Sequence, residues 1–525
     1  MYTAPPAPQK EQFILNRPLH GPWPDVRLWG RRLPGPAFPA SSNTIVAIAA
    51  GVLVAAISLP LDTPGVGWLI TAVAVAIALL VARPAASPIP PLVTRPAKRP
   101  GWDQLAWGVA TIALVGVGTF RAAGWLFALC LVTATLTFAL AIGAGRSMRA
   151  VVTTYLIAPV AVLRALPWLV RGLARMRRTG TGRPAPIRIA ATAAVSIALL
   201  AIFGALFASA DPDFANVLGA LLPDITVSGT FRWIFICGLT APVLSGAAYL
   251  RVAPPRLADL DRTEGHKVRR LEWAVPLTLL TLLFGAFISV QLTTVLFGGE
   301  RHVLTTAGLT YAGYARGGFW QLSIVTGLTL VVLAGAARWA PREAPGDRAT
   351  FRAVLGTLTL LTLLIVASAL VRMQVYIDTY GLTRLRLLVA CCELWFGVIL
   401  LLVLVAGIRI RAPWLPRVAI AVGVLTLIGL AVANPDLRIA QNQLNRAADR
   451  IDPYYLATLS PDAVPALTRM ADPADRACVL HQIGLGLDEH EWREWNLGRA
   501  AARELIGESP RPADSERCVE KRYGY

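Results

Sequence analysis

The fold class that the sequence predicts is all-α: a polytopic transmembrane helical bundle followed by a small extramembrane helical domain. Three observations predict it. The chain of 525 residues is 55% hydrophobic and only 15% charged, with a mean hydropathy of +0.56, whereas soluble proteins carry roughly a quarter charged residues. Its apolar residues form long runs of spanning length, and its charges fall in the gaps between them. The last ninety or so residues break that pattern. Residues 434–525 hold 15 acidic and 12 basic residues, a net −3 that leaves +22 on the rest of the chain.

The first element, residues 1–42, carries nine prolines and has no apolar run, so it reads as a disordered leader without a signal peptide. Arg31-Arg32 is followed by prolines and not by an apolar stretch, which argues against a twin-arginine export signal. The membrane domain then covers 43–433. Apolar runs at 43–61, 65–83, 104–120, 123–144, 188–209, 231–250, 272–297, 319–338, 350–371, 385–408 and 415–433 predict about eleven spanning helices. In lipid each must satisfy its backbone internally, and runs of this length do so as helices.

The run 151–172 is ambiguous. It contains Arg164, Pro159 and Pro167 and ends in the basic cluster Arg171, Arg175, Arg177 and Arg178. If it spans, the basic patches at 146–149 and 171–188 fall on opposite sides. If it is a hairpin or an interfacial helix, every strongly basic loop (84–103, 251–271, 338–349, 409–417) shares a side with the basic leader. The positive-inside rule favours the second reading. The N-terminus is then cytoplasmic and the tail extracytoplasmic, in the plasma membrane of a bacterium.

The net charge of +19 does not indicate a nucleic-acid partner, because the excess sits in short loops beside apolar runs, where it suits anionic headgroups. No phosphate-binding loop, dinucleotide fingerprint, zinc-protease or nucleophile-elbow motif occurs, and no nucleic-acid module. The sequence thus indicates no cofactor, and its one sure partner is the lipid bilayer. Cys130, Cys237, Cys391 and Cys392 lie in apolar runs as small hydrophobes. Cys478 and Cys518 are alone in the tail, a possible disulfide if the tail faces an oxidising compartment. Cys478, His481, His490 and Cys518 match no standard zinc spacing, so no metal site is expected.

The tail, 434–525, reads as a C-terminal soluble helical domain. Asn434-Pro435-Asp436, Ser460-Pro461-Asp462 and Asp472-Pro473 each place a capping side chain before proline and so open a helix. The stretch 489–507 is amphipathic, with Trp492, Trp495, Leu497, Ala501 and Leu505 spaced to pack.

Four stretches stand out from the Leu/Ala/Val background: 207–214, 311–321, 372–386 and 434–446. In the topology above they share the outer face. They gather Asp211, Asp213, Arg316, Arg372, Asp378, Arg384, Arg386 and Asp436 with Tyr376 and Tyr380 as a candidate binding face for an unknown small-molecule or envelope ligand. Much of this pattern has an ordinary structural meaning. Asp211-Pro212-Asp213 is a helix start, Gly381 can close one helix, and Thr383 can cap the next. Arg372, Tyr376 and Tyr380 at i, i+4, i+8 stack a cation and two phenols on one helix face, which could bind an anion or a sugar, or dock the tail. Glu393 lies about 12 Å into the 385–408 helix, where an ionisable group is a proton-relay or ion-ligand candidate. The plain alternative is a protonated or hydrogen-bonded acid joining two helices.

At these stretches the chain resembles bacterial polytopic membrane proteins grouped as domain of unknown function 4173, with the related 4153 group. The residues that carry the resemblance are Leu206–Phe214, Tyr311-Ala312 with Tyr314-Ala315-Arg316 and Gly318-Phe319, Tyr376 with Tyr380–Arg386, Asn434-Pro435-Asp436, and Tyr455–Leu467. Gly313 stands where relatives are expected to carry an acid. The resemblance implies the architecture and no activity. Three functions remain open: a transporter or permease-like body, a non-enzymatic envelope scaffold or sensor using its tail, and a membrane-embedded enzyme acting on lipid-linked envelope substrates. The last lacks a visible acid–base pair or nucleophile.

Overall fold

The computed structural model describes residues 35–82, 101–143, 148–178, 227–255, 269–296, 311–341, 344–409, 414–447, 451–487 and 491–507, with single positions at 196 and 203. Among the described residues the fold is all-α with no strand. The expected run 188–209, the leader up to residue 34, Asp211, Asp213 and Cys518 lie outside them.

The membrane helices are α1 (Ser42–Ser58), α2 (Val66–Val81), α3 (Trp102–Phe120), α4 (Gly124–Ile142), α5 (Met148–Arg178), α6 (Val227–Val252), α7 (Arg270–Leu296), α8 (Tyr311–Trp339), α9 (Pro345–Tyr380), α10 (Arg384–Arg409) and α11 (Leu415–Ala433). Nine of the described helices, α3 to α11, are long and apolar enough to cross a membrane, while α1 and α2 are shorter apolar helices. Many threonine hydroxyls inside these helices bond back to their own backbone, as Thr326 does to Leu322 O at 3.0 Å and Thr362 to Leu358 O at 2.7 Å. That satisfies them without a lipid-facing orphan.

The bundle has two distinct ends. At one, Arg417 of α11 pairs with Asp103 of α3 at 2.8 Å, and Arg352 of α9 reaches the carbonyls of Gly407 and Ile408 in the last turn of α10. This basic end also carries Arg251, Arg270, Arg338 and Arg348, the flanks of the loops whose charge the sequence singles out. At the other end sits the tail.

α5 settles part of the ambiguity over 151–172. It is one unbroken helix with Pro159 and Pro167 inside it, so it is not a hairpin. Thr154 packs against Gly143 at the close of α4, Val162 against Gly246 near the close of α6, and the Trp168 carbonyl accepts from Ala40 N ahead of α1. Trp168 Nε1 also donates to Phe38 O at 3.0 Å. These contacts all fall at the basic end, so α5 crosses the feet of three helices although its length and composition would let it span.

The helices form two separately cored sets. One core joins Trp273, Leu277, Leu333, Leu358, Ile365 and Leu400 of α7–α10. Others join α1, α2, α5 and α6, and α3, α4 and α11. α11 packs on α10 as well as on α3 and α4, and Leu387 and Cys391 of α10 pack against the core of α3, α4 and α11.

The tail comprises α12 (Pro435–Leu444), α13 (Pro453–Ala457), a 3-10 turn (Pro461–Ala463), α14 (Val464–Leu467), α15 (Pro473–Gly484), a second 3-10 turn (Trp492–Glu494) and α16 (Leu497–Gly507). It has its own core, built on Ile439, Leu456, Leu467, Leu480 and Ala502. Asn434 caps α12 through Leu437 N, and Asp472 caps α15 through Ala474 N, as the proline spacing predicts. Asp452 caps α13 in the same way.

Candidate functional site

The α9–α10 turn is the best-defined part of the candidate outer face. Gly381 ends α9 with φ of 80°, a left-handed conformation that glycine tolerates, and its N–H donates to Ile377 O at 2.7 Å. Thr383 then caps α10, its Oγ1 accepting from Arg386 N at 3.4 Å. The rings of Tyr376 and Tyr380 meet at 4.8 Å between centroids and 49° between planes, as their spacing predicts. Arg386 lies over both, 4.3 Å from the Tyr376 ring and 5.9 Å from that of Tyr380. Arg386 also donates to the carbonyls of Tyr380 and Gly381.

The tail grips this turn. Asn442 Oδ1 accepts from Leu382 N at 2.8 Å, Gln443 donates to Leu382 O at 2.8 Å, and Arg446 donates to Thr379 O. The Tyr455 hydroxyl accepts from Arg384 N at 2.8 Å. Asp436, wholly buried, accepts from Arg384 Nε and Nη2 at 3.1 and 2.5 Å, from Trp125 Nε1 of α4 at 3.2 Å and from Ser460 N at 2.8 Å. Burial pushes its carboxyl up. The Arg384 guanidinium and Ser460 outweigh that and hold it below the usual aspartate range.

A second buried carboxylate faces the other helix set. Asp462 Oδ2 accepts from Ala122 N at 2.7 Å and Ala123 N at 3.1 Å, the turn that opens α4, and from the Ser460 hydroxyl. Its Oδ1 has no hydrogen-bond partner among the described residues. Burial pushes this carboxyl above the usual range, against the pull of the Ala122 N–H and Arg121. A Cβ on Gly498 would collide with that Oδ1, so glycine is what lets α16 approach. Asn496 donates to Gly118 O at 2.7 Å, and Arg499, 5% exposed, donates to Pro64 O at 2.7 Å.

The tail end of the bundle is therefore largely a polar latch. Arg384, Arg386, Tyr376, Tyr380 and Asp436 meet there, with Arg384 and Asp436 joined to the tail. Asp378 is turned aside, accepting from Gln374 of its own helix at 3.1 Å. Arg372 is on α9. Arg316 is on α8, its side chain outside the described residues, as are Asp211 and Asp213. Sequence reasoning missed Trp125, Asp462, Asn496 and Arg499. Ser460-Pro461-Asp462 looked like an ordinary helix start, yet Ser460 makes no such cap, and Asp462 serves the start of α4 instead.

Glu393 forms the second candidate. It is 1% exposed, and neither carboxyl oxygen has a hydrogen-bond partner among the described residues. Ser323 of α8 faces it without a well-formed hydrogen bond. On the neighbouring face of α10, Cys391, Cys392, Trp395 and Phe396 line an apolar cleft of about 1440 Å³ where α8–α10 approach α4 and α11. No group of three or more possible metal ligands occurs among the described residues. Cys478 on α15 is disulfide-bonded, and the four cysteines of the membrane helices are free.

A family model described as Domain of unknown function (DUF4153) matches residues 109–470, more than half of the chain. The matched segment holds Arg384, Glu393, Asp436 and Asp462 and stops short of Asn496 and Arg499. No curated protein and no solved structure matches.

Proposed function

The chain belongs to the DUF4153 family, a domain of unknown function, and from that premise we propose a multi-pass membrane protein with a transporter- or permease-like body. The observation that carries this reading is Glu393, an acid at membrane depth faced by Ser323 and without a well-formed hydrogen bond among the described residues, beside a cleft between two separately cored helix sets. An uncompensated intramembrane carboxyl costs stability, and transport uses such groups as proton relays. The substrate remains an unknown small-molecule or envelope ligand, with Asp211, Asp213 and Arg316 its sequence-based contacts.

Proteoliposomes holding the full chain and a trapped pH dye test this under an imposed pH gradient. Wild type should admit protons and Glu393→Gln should not, at equal thermal stability. Equal entry in both variants removes Glu393 from any transport role.

We place the basic end in the cytoplasm of a bacterium and the tail outside its plasma membrane. The basic flanks on one end support this, as does the bonded state of Cys478, which suits an oxidising compartment. Cys518 is its proposed partner. Closer kinship to the 4173 group rests on the stretches 206–214 and 376–386. The scaffold or sensor reading is favoured by a different observation: the tail bonds to both helix sets, through Arg384 of one and Ala122, Ala123 and Trp125 of the other.

A further inference from the structure

The cleft runs the full height of the membrane body. Its walls extend from Leu385 in the first turn of α10 to Ile408 in the last, and from Leu415 to Leu430 along α11. Several wall residues, among them Ile324, Leu385 and Ile408, are also exposed. The cleft is therefore open along a side that faces hydrocarbon. Its volume of about 1440 Å³ exceeds the roughly 300–1,000 Å³ of ordinary small-ligand pockets.

The wall offers little to a polar guest. Thr133, Thr359 and Thr426 each donate to a carbonyl four residues back in their own helix, and Trp395 Nε1 donates to Ala419 O at 3.1 Å. Left empty, such a space would forfeit the dispersion contacts of its whole lining. Among the described lining residues the one charged side chain is Arg352, at the basic end. Its Nε and Nη2 are anchored on the carbonyls of Gly407 and Ile408 at 3.4 and 2.9 Å, which holds an exposed guanidinium at the mouth. The other donors of its five-donor fork suit a phosphate oxygen.

We propose that this cleft is a phospholipid site, with acyl chains between the two helix sets and an anionic headgroup on Arg352. It lies between sets that also meet through α10, α11 and the tail, and it does not depend on the transport reading.

Gly356 and Gly407 line the cleft, and a Cβ built on either meets nothing within 4 Å. Gly356→Phe and Gly407→Leu therefore start their added bulk in open space on the cleft wall. Full-length wild type and both variants would be placed in nanodiscs of equal parts phosphatidylglycerol and phosphatidylcholine. After transfer to mild detergent, retained lipid would be counted by native mass spectrometry. Wild type should keep phospholipid with about a tenfold preference for phosphatidylglycerol, the size of one charge-assisted contact. Both filling variants should lose it at unchanged melting temperature, and Arg352→Gln should keep lipid while the preference falls toward one. Bare wild type, or equal retention in wild type and the filling variants, overturns the site. An unchanged preference in Arg352→Gln overturns the headgroup assignment. Retention is scored without any flux, so failure of the proton-entry experiment leaves this result standing, and the reverse.

Discussion

Arg384 and Asp436, separated by 52 positions in the chain, meet as a two-pronged ion pair in which the carboxylate is fully buried and the guanidinium partly exposed. The pair ties the first turn of α10 to the first turn of α12, and Trp125 brings α4 to the same carboxylate.

Removing one partner of such a pair strands the other. Asp436→Ala leaves Arg384, Trp125 Nε1 and Ser460 N without their acceptor at once. The expected cost is about 3 kcal/mol, the lower end for a broken buried pair, because Arg384 keeps some solvent. The tail should become susceptible to limited proteolysis at temperatures where wild type resists. Equal resistance would show that the latch contributes nothing to docking.

Asp462 predicts a pH dependence of opposite sign to that of Asp436. Its carboxyl is raised by burial, so the docked tail binds more protons than a released one. Docking should then strengthen as pH falls through the raised value toward the usual 3.8. Asp436 is held below 3.8, and its contribution, complete above that value, is lost as pH falls through the lowered one. Tail stability measured by thermal unfolding should therefore rise and then fall on acidification. Asp462→Asn, which keeps the carbonyl acceptor and drops the charge, should abolish the rise. A rise that survives this variant assigns it to another group.

Much of this architecture was legible in the sequence, and what was hidden has a physical reason. Apolar run length announced the membrane helices, and Asn434 and Asp472 before prolines announced their tail helices, because capping is local. The contact of Tyr376 with Tyr380 followed from helical spacing. The place of Arg386 over them did not, since Arg386 lies past the Gly381 turn and returns only because that turn folds back. Asp462, Asn496 and Arg499 bind backbone groups hundreds of positions away, and nothing local marks a residue whose partner is another segment's carbonyl or N–H. Hydropathy could say that 151–172 is apolar enough to span, but not that it packs on the closing turns of α4 and α6 and on the chain ahead of α1.

Arg386→Ala should loosen the α9–α10 turn. It removes the cation over two rings, worth about 0.5–2 kcal/mol, and two donors to the carbonyls of Tyr380 and Gly381. Hydrogen exchange at Leu382 N, which is bonded to Asn442, should accelerate. Arg386→Lys should recover little, because an ammonium lacks the planar fork that stacks and donates together. Full recovery with lysine would reduce the role of Arg386 to simple charge.

Glu393 gives opposite signs for stability and function. Its two oxygens have no well-formed hydrogen bond among the described residues at 1% exposure, so Glu393→Leu removes a desolvated polar group and should stabilise the detergent-solubilised protein by about 1–3 kcal/mol. The same variant should not conduct protons. If leucine destabilises instead, the acid is a structural joint with a partner, and the transport reading loses its carrying observation.

The contacts of α5 lead to the expectation that it lies in the plane of the membrane. Thr154 and Trp168 both contact the basic end, the first through Gly143 and the second through Phe38 and Ala40. An in-plane helix returns the chain to the side it left, whereas a spanning one would carry it across. Single cysteines at Val152 and Ala174, near the two ends of α5, should therefore react from the same side of the membrane. The background for these cysteines would be a full-length chain with its membrane cysteines replaced. With the basic end cytoplasmic, both should resist an impermeant thiol reagent in intact cells and react after permeabilisation. Reaction of one alone in intact cells would make α5 a span, move the later loops to opposite sides, and leave the basic flanks without the common face that orients them.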